Sequence, residues 1–281
     1  MTSRKRVALV IGSGSVKCAA ALGLQRVFAA EGIGIDLVVG CSGGSIYAAL
    51  LAGGLDVETA IEMTRRLWTR EVTRKRHTPS LVRALLPRVF GFSQDFGLKD
   101  DRLILRRLRD AYGDKKIEDM ETPLFLTATD FHTGEQVVMS RGSVVDALRA
   151  SIAIPFIFRP WPVDGRLLID GFMSDPLPVG VAMREGANVI VAMGFESPYQ
   201  TSVDSAARFA FQLSSIMTNN LLRSNFAFHS MAHHAEVIPI IPTFSERIGL
   251  FATSKIPLII EEGERAALEQ VPYLRKILSS E

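Results

Sequence analysis

A serine at position 42 carries the pattern with the clearest chemistry, a G-x-S-x-G pentapeptide at residues 40–44. The largely apolar run 35–39 precedes it, and the small-residue stretch 45–50 that follows has the composition of a helix. A strand, a sharp turn and a helix in this order form a nucleophile elbow, which exposes the serine hydroxyl. Because a helix N-terminus favours negative charge, we predict acyl-transfer chemistry at Ser42. The alternative is a glycine-rich turn without chemistry.

Two glycines and a cysteine surround this serine. Gly40 and Gly44 have no side chain, so they are expected to let the predicted strand and helix approach closely. Cys41 is a second candidate nucleophile, since a thiol at a helix N-terminus can be reactive. Ser42 holds the exposed position of the elbow, and we therefore predict that Ser42 is the nucleophile.

A glycine-rich loop follows the first apolar run of the chain, and its distinctive residues are Gly12, Ser13, Gly14 and Lys17. Backbone N–H groups in such a loop can bind an oxyanion or a phosphate. A dinucleotide-binding loop is the main rival, but Lys17 stands where that motif has its third glycine. A tight turn that only packs a helix on the sheet is the other alternative. We predict an oxyanion hole.

Asp170 follows the apolar stretch 167–169 and precedes Gly171. Ligands of a mostly parallel sheet gather at the carboxyl ends of its strands, so we expect Asp170 on the same rim as Ser42. Asp164, which is also followed by a glycine, has the pattern of a hairpin turn and is interpreted as structural. A simple turn is the alternative for Asp170, but its place after an apolar strand favours catalysis.

The chain order also permits a Ser-Asp-His triad, with His229, His233 or His234 as the histidine. Two features argue against it. The serine follows only the second predicted strand, and the three histidines lie inside one long helical stretch. His229 and His233 have the spacing of metal ligands on a helix, but H-E-x-x-H is absent and surface histidines are the simpler interpretation. We predict a dyad of Ser42 and Asp170 that needs no metal or organic cofactor.

The pattern around these motifs predicts an α/β fold. Short apolar runs alternate with helical stretches, which indicates a mostly parallel central sheet covered by helices on both faces, a three-layer sandwich. Strands are predicted at 7–11, before Ser42, and at 124–129, 136–140, 167–169, 188–193 and 237–241. Helices are predicted up to about 31, at 45–51, 57–70, 101–112, 144–151 and 206–235, and from about 261. Residues 154–162 are expected to be irregular. No linker or repeat is visible, so we expect a single domain over residues 1–281.

Composition limits the classes of function. The 281 residues are 47% hydrophobic and carry a formal net charge of +2, so overall charge gives no support for nucleic-acid binding. With only two cysteines, Cys18 and Cys41, a disulfide framework is not expected and a reducing compartment fits. No apolar run reaches the length of a transmembrane helix. These features predict a cytoplasmic protein.

Residues 71–100 are a candidate cap or lipid-facing insertion. The region between the serine and Asp170 combines cations with large apolar residues, the composition of a segment that settles on an anionic membrane. Its cations are Arg65, Arg66, Arg70, Arg74, Lys75, Arg76, Arg83 and Arg88, and its apolar residues are Trp68, Leu81, Val82, Leu85, Leu86, Val89, Phe90, Phe92 and Phe96. An ordinary amphipathic helix and loop packed on the core is the alternative. The hypothesis predicts peripheral contact with the inner face of the membrane.

The three motifs, in this order, resemble the patatin-like phospholipase family and in particular its small bacterial members. The family combines a glycine-rich oxyanion loop that ends in Arg or Lys, then G-x-S-x-G, then D-G-G or D-G-A. Further family-like stretches lie at 130–135, 150–155 and 177–179. Two positions depart from the pattern: Cys18 replaces a glycine, and Phe172 replaces a small residue and is expected to narrow the pocket mouth.

The resemblance implies roles for the marked residues. Ser42 would be the nucleophile and Asp170 its direct base, while backbone N–H groups around Ser13 and Gly14 would hold the oxyanion, with Lys17 nearby. The implied activity is hydrolysis of a fatty-acyl ester, such as a phospholipid or lysophospholipid, through an acyl-serine intermediate. An acyl thioesterase or small-ester carboxylesterase would use the same chemistry. A catalytically silent lipid-binding or regulatory protein is the alternative from another class.

Overall fold

The computed structural model describes most of the chain. The described residues are 4–67, 69, 71, 75–78, 94–197, 199, 202–204, 206–231, 235–250 and 252–279. Most of the proposed cap at 71–100 lies outside them, as do His233, His234 and the side chain of His229. The cap and the membrane contact therefore stay predictions. Within the described residues, no helix combines the length and the apolar composition needed to cross a membrane.

The described strands form one sheet, and helices pack on its two faces. The strands are β1 (Val7–Ile11), β2 (Leu37–Cys41), β3 (Leu124–Asp130), β4 (Gln136–Met139), β5 (Trp161–Val163), β6 (Arg166–Asp170), β7 (Val189–Met193) and β8 (Glu236–Ile240). The described α-helices are α1 (Ala20–Glu31), α2 (Gly43–Ala52), α3 (Val57–Leu67), α4 (Arg102–Tyr112), α5 (Val144–Ser151), α6 (Val179–Arg184), α7 (Ala206–Met231) and α8 (Ile256–Ser279).

Five parallel strands, in the order β3-β2-β1-β7-β8, make up the main part of the sheet. Their side chains alternate between two apolar layers, as strand geometry requires. Leu9 and Ile11 belong to the larger layer, whereas Ala8 and Val10 belong to the smaller one beside α6. The predicted mixed α/β fold, with a mostly parallel sheet between helical layers, is confirmed.

The antiparallel strands decide where Asp170 lies. Thr127 of β3 pairs with β2 on one edge and with β4 on the other. The next residue, Ala128, also pairs with β4. On the edge that carries β2, however, Ala128 pairs with Asp170 of β6. Strand β6 therefore pairs with the part of this β3 edge that lies beyond β2, and it runs antiparallel to β3. As a result, β2 and β6 end next to each other.

Three local predictions need correction. The stretch 154–162 is irregular only in part, because β5 begins at Trp161 and pairs with β6 around the two-residue turn at Asp164. Pro162 in β5 obscured this strand, although an edge strand tolerates proline. Helix α6 was not predicted. Helix α8 begins at Ile256 and not near 261, since Pro257 lies in its first turn, where a backbone N–H is not needed.

Helices α1 and α8 cross at two glycines. A Cβ atom built on Gly263 would lie 2.1 Å from the carbonyl oxygen of Ala20, and one built on Gly23 would lie 2.1 Å from that of Ile260. Both neighbours are backbone atoms, so a side chain at either position would push the helices apart. The two glycines therefore set how closely α1 and α8 approach each other.

We expect Gly263→Ala to lower the free energy of unfolding by about 1–3 kcal/mol, the usual cost of overpacking a core. This loss exceeds the gain of about 1 kcal/mol that alanine has over glycine in a helix. Urea denaturation measures the difference. Gly249→Ala is the control, because a Cβ atom added at Gly249 would meet no described atom within 4 Å. Equal stabilities of the two variants would contradict the close crossing.

Candidate active site

Ser42 occupies the sharp turn between β2 and α2. Its backbone has φ +55° and ψ −127°, a conformation that residues with side chains rarely adopt. The Oγ atom donates a hydrogen bond to Oδ2 of Asp170 at 2.7 Å. A strained serine in direct contact with a carboxylate is the arrangement of an activated nucleophile. The structure therefore brings together the two residues that the sequence predicted as a dyad.

The glycines on either side of Ser42 make this turn possible. A Cβ atom on Gly40 would lie 2.6 Å from the Cα atom of Ser45 in α2, which shows how closely the strand and the helix pack. A Cβ atom on Gly44 would lie 2.3 Å from the carbonyl oxygen of Ile11. Gly40 thus acts as predicted, whereas Gly44 allows α2 to approach the neighbouring strand β1.

Asp170 is fully buried, and its surroundings change its acidity. Removal from water raises the pKa of its carboxyl group from the usual 3.8 to about 7, although hydrogen bonds from the Ser42 hydroxyl and the Phe172 N–H lower it. A carboxylate with a pKa near neutrality is a much better base than one in water. Asp170 lies on the same rim of the sheet as Ser42, as predicted. The reason given for this was wrong, because β6 is not a parallel strand: it runs antiparallel to β3 and meets β2 end to end.

The glycine-rich loop lies beside the elbow, but two of its predicted oxyanion donors are already occupied. The Gly12 N–H donates to the Met193 carbonyl at 2.9 Å, and the Ser13 N–H donates to the Pro176 carbonyl at 2.8 Å. These hydrogen bonds hold the loop in place. The assignment of oxyanion donors to Gly12 and Ser13 therefore needs correction.

Two other backbone N–H groups near the elbow are candidates for this role. The N–H groups of Gly14 and Gly43 donate to no other described residue. Gly43 follows the serine and begins α2, where the first N–H groups have no partner within the helix. A Cβ atom on Gly43 would lie 2.6 Å from the Cα atom of Ser15, so the loop packs directly against the elbow.

Lys17 lies in the wall of the same cavity, as its place in the loop suggested. Its Nζ atom donates to the carbonyl oxygen of Glu196, and it lies 6.0 Å from the centre of the Phe195 ring. Burial lowers the pKa of its ammonium group, and the nearby Glu196 carboxylate partly counters this effect. Lys17 therefore joins the loop to the segment after β7, and it is not an oxyanion donor in this arrangement.

The cavity above Ser42 is mainly apolar. Its apolar walls come from the segment after α5, from the start of α7, from residues near Asp170 and from the two loops that carry Leu98 and Leu250. They include Leu98, Ile154, Phe156, Phe172, Phe211 and Leu250. Phe156 has φ +66° and an exposed ring. Phe172 also lines the cavity, and its narrowing of the pocket mouth stays a prediction. Such a space suits a hydrocarbon chain.

Comparison with known proteins assigns the family. A family model described as "Patatin-like phospholipase" matches residues 9–183, well over half of the chain. The chain belongs to the patatin-like phospholipase family. This membership, which the three sequence motifs predicted, makes it one of a family of lipid hydrolases.

Relatives support the assignment and limit what can be transferred. An uncharacterized NTE family protein of Mycobacterium tuberculosis is 33% identical over 192 residues, which are 68% of this chain and 49% of that protein. Patatin-like phospholipase domain-containing protein 7 of Rattus norvegicus is 28% identical over 70% of this chain but only 14% of its own length. This patatin-like chain thus spans about half, or much less, of these relatives.

A solved structure, VipD from Legionella pneumophila, is similar with a TM-score of 0.49 and 13% sequence identity. The similarity covers 95% of this chain and 66% of that one.

The two cysteines of this patatin-like protein are poor nucleophiles. Cys18 and Cys41 are both fully buried and free. Burial raises the pKa of each thiol, and the nearby Asp170 carboxylate raises that of Cys41 further. Because the thiolate is the reactive form, the buried and protonated Cys41 is a weaker candidate nucleophile than Ser42.

No histidine side chain lines the cavity among the described residues. The described part of the chain also holds no group of histidine, cysteine or acidic side chains arranged to bind a metal ion. The Ser42 hydroxyl instead contacts Asp170 directly. The dyad stays a prediction, because His233, His234 and the side chain of His229 lie outside the described residues.

One residue in contact with Ser42 was not predicted from the sequence. Ser151 ends α5 and is fully buried, and its Oγ atom accepts a hydrogen bond from the Ser42 N–H at 2.9 Å. It belongs to the stretch 150–155, which resembles the family but did not indicate what Ser151 does. Only the folded chain shows that a residue 109 positions away holds the backbone of Ser42.

Proposed function

We propose that this protein is a lipid acyl hydrolase of the phospholipase A or lysophospholipase type. The observation that carries the proposal is the 2.7 Å contact between the strained Ser42 hydroxyl and the buried Asp170 carboxylate at the floor of an apolar cavity. Family membership supports the same class of reaction. No metal or organic cofactor is part of the mechanism.

The reaction begins with proton transfer from Ser42 to Asp170. The Oγ atom attacks the ester carbonyl carbon, and the carbonyl oxygen becomes an oxyanion that the N–H groups of Gly14 and Gly43 stabilise. The carbon–oxygen bond to the alcohol then breaks, and the alcohol leaves with the proton from Asp170. Asp170 next takes a proton from water, and the resulting hydroxide attacks the carbonyl carbon of the acyl-serine. The bond between this carbon and Oγ then breaks, Oγ takes the proton back from Asp170, and the fatty acid leaves.

The cavity supports a substrate with a hydrocarbon chain. Aromatic and aliphatic side chains line it on the sides of α7 and of the segment after α5. A fatty-acyl chain gains free energy by leaving water for such a space. A thioester would react by the same steps, so the acyl thioesterase remains the second candidate.

Hydrolysis of defined substrates tests the proposal. We expect the purified protein to cleave chromogenic fatty-acyl esters and to release fatty acid from a phospholipid or a lysophospholipid. A fluorophosphonate probe should label the protein, and mass spectrometry should map the label to the peptide that carries Ser42. Cleavage of acyl thioesters alone would favour the second candidate. Absence of both hydrolysis and labelling would contradict an enzymatic function and favour a lipid-binding protein.

Contact with an anionic membrane is a separate proposal. It depends on the cations and apolar residues of the segment 71–100. Location in the cytoplasm, with peripheral contact at the inner face of the membrane, belongs to the same proposal.

A further inference from the structure

The two reacting residues come from strands that do not pair with each other. Ser42 follows β2 and Asp170 ends β6, and these strands occupy successive parts of the same edge of β3. Each strand is tied to β3, but no ladder of hydrogen bonds joins β2 to β6. Strand β3 places the two strand ends side by side. The contact between Oγ and Oδ2 also requires the residues beyond the paired positions to keep their places relative to each other.

The segment Ser151–Ala153 meets this need. The Ser42 N–H donates to the Ser151 hydroxyl at 2.9 Å, and the Asp170 N–H donates to the Ala153 carbonyl at 3.1 Å. One tripeptide thus contacts the main chain of both reacting residues. The two contacts differ in kind, because the one to Ser42 depends on a side chain and can be removed by substitution.

The hydroxyl of Ser151 acts on the strained part of the elbow. With φ +55°, Ser42 is held in a conformation that its surroundings must impose. Its carbonyl oxygen accepts hydrogen bonds from the backbone N–H and the hydroxyl of Ser45. On the other side of the residue, the Ser42 N–H donates a hydrogen bond to the Ser151 hydroxyl. Both peptide groups of Ser42 are therefore fixed.

A buried ion pair holds the tripeptide in place. Arg149 of α5 is fully buried and donates to Oδ2 of Asp101 at 2.7 Å and to the Arg159 carbonyl at 2.9 Å. Its guanidinium carbon lies 5.4 Å from the centre of the Phe158 ring and 5.0 Å from that of the Trp161 ring. Helix α5 is therefore anchored two residues before the hydroxyl that contacts the elbow.

We propose that Ser151 is a positioning residue whose hydroxyl holds the Ser42 backbone so that Oγ stays on the Asp170 carboxylate. Ser151 does not touch the substrate. Ser151 acts by fixing the orientation of Ser42. This proposal rests on the proposed function of Ser42. Loss of the hydroxyl leaves a buried N–H without an acceptor and allows the elbow to relax.

The test compares Ser151→Ala with Ser151→Thr and with Thr64→Val. Threonine keeps the hydroxyl. Thr64 is a matched control because its buried hydroxyl donates to the Ala60 carbonyl at 2.8 Å inside α3, outside the cavity wall. We expect Ser151→Ala to lower kcat and the rate of fluorophosphonate labelling about ten- to a hundredfold with little change in KM, since small displacements of a reacting group have effects of this size. Ser151→Thr and Thr64→Val should stay close to the unmodified protein.

Labelling of Ser151→Ala at the rate of the unmodified protein would overturn the proposal. An equal loss in Ser151→Thr would also overturn it, since packing and not the hydroxyl would then be responsible. If Ser151→Ala does not fold, Ser151→Cys replaces it, because the thiol fills the space of the hydroxyl while its sulfur is only a weak acceptor. The same loss is expected in that variant.

Hydrogen exchange of the Ser42 amide separates this proposal from the proposed function. We expect faster exchange in Ser151→Ala than in the unmodified protein and no change in Thr64→Val. If the unmodified protein shows neither hydrolysis nor labelling, the proposed function fails, and the exchange rates still decide whether the Ser151 hydroxyl holds Ser42. Unchanged exchange in Ser151→Ala would then refute the positioning role.

Discussion

The Asp170→Asn variant is expected to lose about two to four orders of magnitude in kcat/KM for a fatty-acyl ester, the range for removal of a general base. Asparagine has the size of aspartate and can keep hydrogen bonds to Ser42 and to the Phe172 N–H, but it cannot accept the serine proton. The control is Asp164→Asn in the β5–β6 turn, where φ is +47° and asparagine is well tolerated. A similar loss in the control would show that the effect is not specific to the dyad.

The pH dependence of the same reaction gives an independent signature. Because only the ionised Asp170 can accept a proton, kcat/KM of the unmodified protein should fall as the pH drops below about 7, the pKa of this buried carboxyl. The residual activity of Asp170→Asn should lack this inflection.

Alanine at His229, His233 or His234 should leave most of the activity, and a loss of about a hundredfold in any of them would refute the dyad.

Stability should change in the opposite direction to activity. Burial raises the pKa of Asp170 from 3.8 to about 7, so the folded state binds the proton more tightly than the unfolded state. The associated stability is complete below pH 3.8 and is lost as the pH rises to about 7. The loss is on the order of 4 kcal/mol, from about 1.36 kcal/mol for each pKa unit. Asp170→Asn has no carboxyl group to ionise and so avoids this loss of stability. Urea denaturation should therefore show that the variant is more stable than the unmodified protein at pH 8 and about equally stable near pH 4.

Much of this site could be predicted because its signals are local. The strand before Ser42, the glycines on either side of it and the start of a helix lie in one short stretch, so the elbow was visible in the sequence. The helix Val144–Ser151 was also predicted with its observed bounds. Periodicity and turn chemistry act between near neighbours, and the sequence displays them directly.

The parts that failed depend on contacts between distant residues. Nothing near Gly12 or Ser13 shows that Met193 and Pro176 accept their N–H groups. Asp170 was placed on the correct rim for a wrong reason, because the direction of β6 follows from its pairing with β3. The role of Ser151 likewise appears only when α5 packs beside the elbow. Local sequence marked the two side chains that meet in the candidate site, whereas tertiary pairing decides which backbone groups lie free beside them.

Replacement of Ser42 by alanine should abolish ester hydrolysis and fluorophosphonate labelling, since the Ser42 hydroxyl lines the cavity and donates directly to the Asp170 carboxylate. Cys41→Ala is the matched control, because burial keeps that neighbouring thiol protonated and the variant should be labelled normally. Residual labelling of Ser42→Ala that disappears on further replacement of Cys41 would assign the nucleophile to the thiol and contradict the proposed mechanism.

Stability measurements on the same position test whether the elbow is strained for function. Alanine at position 42 keeps the unfavourable φ of +55°, whereas glycine adopts it readily. We therefore expect Ser42→Gly to exceed Ser42→Ala in free energy of unfolding by about 1 kcal/mol or more, within the cost of one strained residue. Both variants lack the hydroxyl, so their difference isolates the backbone. Equal stabilities would mean that the turn imposes no strain, and the Ser42 hydroxyl would then owe its position to side-chain contacts alone.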